Sequence, residues 1–298
     1  MNIKTDTYET VSVEYNNAIS WMIKLGVKIS VGRTQHYQKV MNYWKENYKT
    51  VSNEKKEDIF PDFVSSVSEI HDFIDIYNAF KEEPIEKLVS IKAKLQKGVN
   101  GPLKSSDETK NSSEARNYIF EALVAAKFHH PNKNITTILS ASSDTGIKVN
   151  NHKIWIECKR VASENKLEKN IRKASNQLDK QIKNKITANS KGVVAIDFSK
   201  ILHDGDKLLV KANDTELHNS IQEITVTFIK QYSDLWHNIY GTKNKKIIGT
   251  LVHFSTMATS EERKLLVRVS DWGVNPKVGT SLYNQSLLLQ IAENSNNT

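Results

Sequence analysis

Glu157 and Lys159 stand two residues apart in KIWIECKRV (residues 153–161), a run whose centre is otherwise apolar. Along a strand, alternate side chains share a face, so Ile154, Ile156 and Cys158 point one way and Trp155, Glu157 and Lys159 the other. The strand rise sets the Cα atoms of Glu157 and Lys159 roughly 6–7 Å apart. A carboxylate beside an ammonium can steady developing charge on a bound anion, and with a further carboxylate it can hold a hard divalent cation. Four other E-x-K triplets, beginning at Glu54, Glu108, Glu164 and Glu262, lie in polar or helical stretches. The one at Glu157 is distinguished by its apolar strand and by Asp144, which opens the preceding strand-like run. A hairpin through residues 150–152 carries Asp144 back towards Glu157, so that the two acids can converge. Two plainer readings stand beside this one. Glu157 and Lys159 can pair on a solvated sheet face, worth ~0–1 kcal/mol, and Asp144 can be a turn residue ahead of Gly146.

The surrounding pattern supplies the elements that would position these groups. SEARNYIFEALVAAKF (113–128) reads as an amphipathic helix with Ser113 as N-cap and Glu114 and Glu121 on one face. Three strands follow, at NITTILS (134–140), TGIKVN (145–150) and KIWIECKRV, the last two joined tightly at Asn150, Asn151 and His152. A helix from Glu164 to Lys185 places Leu167, Ile171, Ala174, Leu178 and Ile182 on one stripe and its lysines outside. GVVAIDFS (192–199) is apolar enough for the middle of a sheet. Beyond it the pattern predicts a helix over 214–236, strands at 246–256 and 264–272, and a frayed end at AENSNNT (292–298). Upstream, residues 1–100 space their apolar positions by three and four, with a break at Pro84, and residues 101–112 carry the Gly, Pro and polar signals of a linker. The predicted organisation is a helical region over 1–100, a linker over 101–112 and an α/β domain over 113–290.

Composition narrows the class. The chain has 298 residues, a formal charge of +8 and one cysteine, Cys158. It cannot form an internal disulfide, and no Cys/His cluster suggests zinc, which together point to a reducing cytoplasm. No apolar run approaches the ~18 residues of a membrane span, so a soluble protein with no membrane partner is expected. Between Lys153 and Lys185 ten basic residues face four acidic ones, an excess of six out of the chain's formal net charge of +8. That concentration suits a polyanionic partner, while a solvated lysine face is the alternative.

The order helix, hairpin, helix, strand over residues 113–198, with Asp144, Glu157 and Lys159 at its polar positions, resembles the PD-(D/E)xK nuclease superfamily. The resemblance implies a restriction-endonuclease-like core, a mixed central sheet flanked by helices. It makes Asp144, Glu157 and Lys159 catalytic, and Glu121, Asp144 and Glu157 ligands of Mg²⁺ (or Mn²⁺), with Glu114 the rival of Glu121. Ser143 stands where the family has proline, and Gln177 lacks the tyrosine found after it in one large subgroup. Arg160, Lys166, Lys169, Arg172, Lys173 and Gln177 would contact nucleic acid. The activity implied is metal-dependent hydrolysis of phosphodiester bonds, in DNA rather than RNA, within a restriction or phage-defence system whose protein partner binds the helical region. An RNA-directed nuclease, and a non-catalytic nucleic-acid-binding or assembly subunit on the same fold, are the alternatives.

Overall fold

The computed structural model describes residues 6–29, 32–105, 107–109, 114–139, 145–184, 189–202 and 205–296. The chain is mixed α/β. It divides into two compact units, one made of Met1–Leu123, Leu202–Asn219 and Ser255–Val269, the other of Val124–Ile201, Ser220–Phe254 and Ser270–Thr298. Among the described residues no helix is long and apolar enough to cross a membrane.

The second unit is built around strands. Strands β1 (Ile135–Thr137), β2 (Thr145–Val149) and β3 (His152–Arg160) form an antiparallel meander. β2 and β3 pair from Thr145 opposite Ile156 to Val149 opposite His152, leaving Asn150 and Asn151 as a two-residue turn in which Asn150 takes φ +51°. Asparagine tolerates that left-handed conformation better than most residues. Helix α6 (Leu167–Asn184) then crosses over to β4 (Ser190–Asp197), which runs parallel to β3. Leu167, Ile171, Ala174, Leu178 and Ile182 are all buried, as their stripe requires. Tight packing is visible at Gly192, where an added Cβ would lie 2.8 Å from Ile182 and 3.5 Å from Leu178. β4 in turn pairs in parallel with β6 (Ile247–Ser260), and Val193, Val194, Ala195 and Ile196 have no exposed surface.

Hydrogen bonding orders the strands β1-β2-β3-β4-β6-β5, where β5 is Leu209–Lys211, and β7 (Val267–Pro276) also pairs with β6. β6 continues past the predicted end at residue 256 because its last residues still have a partner: Ala258–Ser260 pair with β5. β7 begins later than predicted, after a turn in which Lys264 takes φ +54°. After the short helix α7 (Ser199–Leu202), the single helix expected over 214–236 is two, α8 (Asp214–Gln231) and α9 (Ser233–Tyr240), separated at the non-helical Tyr232.

The expectation of a frayed C-terminus is corrected: residues up to 296 belong to helix α10 (Leu282–Asn296). Leu287, Leu288, Ile291 and Ala292 are buried, and the polar residues after them act as anchors. Ser295 Oγ donates to the Lys127 carbonyl at 3.1 Å, while Asn296 donates to Asp271 and accepts from the Trp272 amide at 2.8 Å. A polar tail composition hides such partnerships from a sequence pattern.

The first unit holds α1 (Tyr8–Lys24), α2 (Arg33–Asn47), α3 (Asn53–Phe80), α4 (Val89–Gly98) and most of α5 (Glu114–Lys127), with Pro84 falling between α3 and α4 as predicted. Its interior joins Tyr15, Met22, Tyr37, Met41, Phe63, Phe73 and Phe80 to an ionic cluster. Arg33 and Arg116, both almost wholly buried, bind opposite oxygens of Glu69, at 3.3 Å and 2.5 Å. Arg33 also donates to the Gly98 carbonyl, and Arg116 to Tyr37 and the Leu103 carbonyl. Glu69, with Glu108 at 3.4 Å from Arg116, thus balances two desolvated guanidinium groups drawn from α2 and α5. Replacing it by alanine leaves both charges buried with reduced compensation. Glu69→Ala is therefore expected to lower unfolding free energy by about 3–5 kcal/mol, read from the urea midpoint; a loss under about 1 kcal/mol would show that the cluster is solvated.

Candidate functional site

The charged face of β3 is covered rather than solvated. In the parallel register Trp155 lies beside Gly192, Glu157 beside Val194 and Lys159 beside Ile196, and this is the face on which α6 packs. Glu157 consequently has only 1 % of its surface exposed. A carboxylate there is costly unless its oxygens are engaged. Gln181 of α6 donates to Oε1 at 2.6 Å, and the Lys159 ammonium stands 3.6 Å from Oε2. The side chain of Lys159 retains 15 % exposure, which leaves the ammonium within reach of solvent and of a bound anion. α6 runs back against the direction of β3, so Gln177, one turn before Gln181, lies towards Lys159. The Oε1 of Gln177 is buried and accepts no hydrogen bond among the described residues. One carboxylate, one ammonium and one neutral oxygen therefore share this covered strip.

Asp144 lies outside the described residues, as do Ser143 and the predicted cap Ser113. Thr145, the neighbour of Asp144, pairs with Ile156, the residue before Glu157. Glu121 belongs to the other compact unit, where Lys94 of α4 donates to its Oε2 at 2.6 Å and both side chains are largely buried. Glu114 is exposed. Among the described residues no group of three or more His, Cys, Asp and Glu is arranged to hold a metal ion. Glu157 and Gln177 offer oxygen donors of the kind Mg²⁺ takes, so the donor chemistry on β3 and α6 fits a hard cation only with an added acid such as Asp144. Lys166, Lys169, Arg172 and Lys173 are exposed, Arg172 pairing with Glu168 at 2.7 Å one turn away. Arg160 is separated from them by strand alternation: it faces the other side of the sheet from Lys159 and donates to Asp197 at 3.3 Å.

That second face holds a cluster of which the sequence-predicted site included only Arg160, as a nucleic-acid contact. Arg160 and Asp197, at the ends of β3 and β4, and His253, in the middle of β6, occupy adjacent positions on three parallel strands. Asp197 is buried. Its Oδ1 accepts from the Ser199 amide at 3.1 Å and the Ser199 hydroxyl at 2.6 Å, with His253 Nδ1 3.5 Å away. The His253 ring lies against Trp272, centroids 4.4 Å apart. Burial alone would raise the Asp197 pKa, but His253, Arg160 and Ser199 together outweigh it and hold the carboxyl well below the usual range. The signal for this cluster in the sequence is an acid inside the apolar GVVAIDFS, the same anomaly that marks Glu157.

No protein-family model, no curated protein and no solved structure matches the chain.

The depressed titration of Asp197 has a defined sign. A folded pKa below the unfolded value of about 3.9 means that the ionised carboxylate stabilises the fold above that pH and ceases to do so as pH falls through the folded value. Asp197→Asn should therefore cost about 3–5 kcal/mol at pH 7, and the gap from the parent protein should narrow below about pH 4. Denaturant titrations at pH 7, 5 and 3 measure this, and an equal gap throughout would show that the charge of Asp197 is not what stabilises.

Proposed function

We propose that this protein is a divalent-metal-dependent hydrolase of phosphodiester bonds in nucleic acid, DNA in preference to RNA, on a restriction-endonuclease-like core. The observation that carries the reading is the buried Glu157 carboxylate with the Lys159 ammonium 3.6 Å from it, on a hairpin strand whose partner begins immediately after Asp144. The element order α5, β1, β2, β3, α6, β4 agrees with such a core.

In this reading Glu157 and Asp144 would hold Mg²⁺ or Mn²⁺, and the ion would supply Lewis acidity towards the phosphodiester and a water. Lys159 then has two roles. Its ammonium offsets the charge of Glu157 before substrate binds, and it lies within reach of negative charge that develops on the attacked phosphate. Gln181 fixes Glu157 Oε1, so the remaining oxygen has a defined direction. α6 lowers the local dielectric, which strengthens each of these interactions.

A second reading is favoured by the charge pairing itself. Lys94 neutralises Glu121, and Lys159 offsets the charge of Glu157 while Gln181 donates to its Oε1, so both acids have a counter-charge without an ion. A non-catalytic nucleic-acid-binding subunit would look the same at these positions.

Incubating the purified chain with supercoiled plasmid, linear duplex DNA and RNA in Mg²⁺, Mn²⁺ or EDTA separates the two. The hydrolase reading expects cleavage with either metal and none in EDTA, and a loss of roughly 100-fold or more in Lys159→Ala, assayed at a temperature where circular dichroism shows the variant still folded. Cleavage that survives EDTA or Lys159→Ala would sink it, and binding without cutting in both metals would establish the second reading.

A further inference from the structure

We infer that the loop Gly241–Lys246, docked against α6, completes a cationic platform that grips the phosphate backbone of double-stranded nucleic acid. The inference rests on the nucleic-acid reading above but not on catalysis. The loop sequence, GTKNKK, holds three lysines and no acid. α6 contributes Lys169, Lys173 and Lys180 on its outward side, opposite the buried stripe. Lys245 is exposed, and Lys243 and Lys246 are partly so.

Two observations distinguish this loop from an ordinary solvated lysine cluster. The first is that it is held in place. Lys243 Nζ donates to Asn176 on α6 at 2.6 Å, the Asn244 amide to Asp179 at 3.3 Å, and the Lys246 amide to Asn244 Oδ1 at 2.9 Å. Lys277, half-buried, directs its ammonium at the Lys243 and Asn244 carbonyls, at 2.8 Å and 3.3 Å. A cation engaged in propping up backbone carbonyls fixes the loop, so its lysines approach a ligand with less ordering left to do. The second is the absence of rings: neither α6 nor the loop contains Phe, Tyr or Trp. Proteins that hold single strands stack bases on aromatic side chains, whereas a duplex presents mainly phosphates. The two rows of cations lie on α6 and directly beside it, and a helix with its side chains is about 10–12 Å across, comparable to the ~12 Å width of a DNA major groove.

The test is binding of a fluorescein-labelled duplex of about 25 base pairs to the full chain in EDTA, by anisotropy, at several salt concentrations between about 50 and 200 mM. The double variant Lys243→Ala/Lys245→Ala is compared with Lys207→Ala/Lys230→Ala, which removes the same charge from two other exposed positions. The platform predicts about tenfold weaker binding at low salt for the first variant and a salt slope reduced in magnitude by nearly 2, about 0.9 for each phosphate no longer neutralised, with little change for the second. Equal losses in both, or none in the first, would overturn it, as would tighter binding of a single strand of the same length than of the duplex. A chain that passes this test but never cuts DNA would defeat the hydrolase reading alone.

Discussion

A carboxylate with almost no exposure, inside an apolar strand, constrains everything around it. Glu157 could not be buried there by hydrophobic packing alone, since desolvating its charge costs several kcal/mol unless other groups compensate. The compensation comes from two elements at once, Lys159 on the same strand and Gln181 on the helix above it. The position of α6 is therefore set by its apolar stripe and also by a polar bond to the strand it covers. A slip of one residue in β3 would place Glu157 on the opposite face, away from Gln181, and bring Cys158 under the helix.

The parallel pairing of β3 with β4 makes that arrangement available. A crossover connection must pass over one face of the sheet, and here the crossover helix passes over the face bearing Trp155, Glu157 and Lys159. The same three strands leave a second set of charges on the other face, where Arg160, His253 and Ser199 surround Asp197. Lys159 and Arg160, neighbours in sequence, thus serve different clusters on opposite sides of one sheet. A helix packed over the Lys159 side and the Trp272 ring against His253 on the other shield the carboxylates of Glu157 and Asp197 from bulk water.

The helical unit solves an equivalent problem by different means. Glu69 stands between two buried arginines, and the carbonyls of Gly98 and Leu103, the Tyr37 hydroxyl and the Glu108 carboxylate take further donors. Each of these clusters is one in which a partner's removal leaves a charge stranded, so they specify the packing as strongly as the apolar side chains do. Glu121 is drawn into such a pair with Lys94, which helix periodicity does not announce because the two residues are 27 positions apart.

Local pattern in the sequence was enough for the elements with a clear period: the buried stripe of α6, the all-apolar β4, the Asn150–Asn151 hairpin and the helices before residue 100. It was enough, too, to single out Glu157 and Lys159, because a charge in an apolar strand needs an explanation wherever the strand lies. The chain alone did not disclose that α6 would bury Glu157, that Gln181 would reach it, or that Arg160 would turn to Asp197, since each depends on which residues meet across a sheet or between a helix and a strand. The polar end of α10 and the extension of β6 to Ser260 belong with these, being held by partners distant in sequence. Periodicity is a property of one segment and is written in its residue types; burial and hydrogen-bond partnership are properties of pairs of segments, and only folding brings the pairs together.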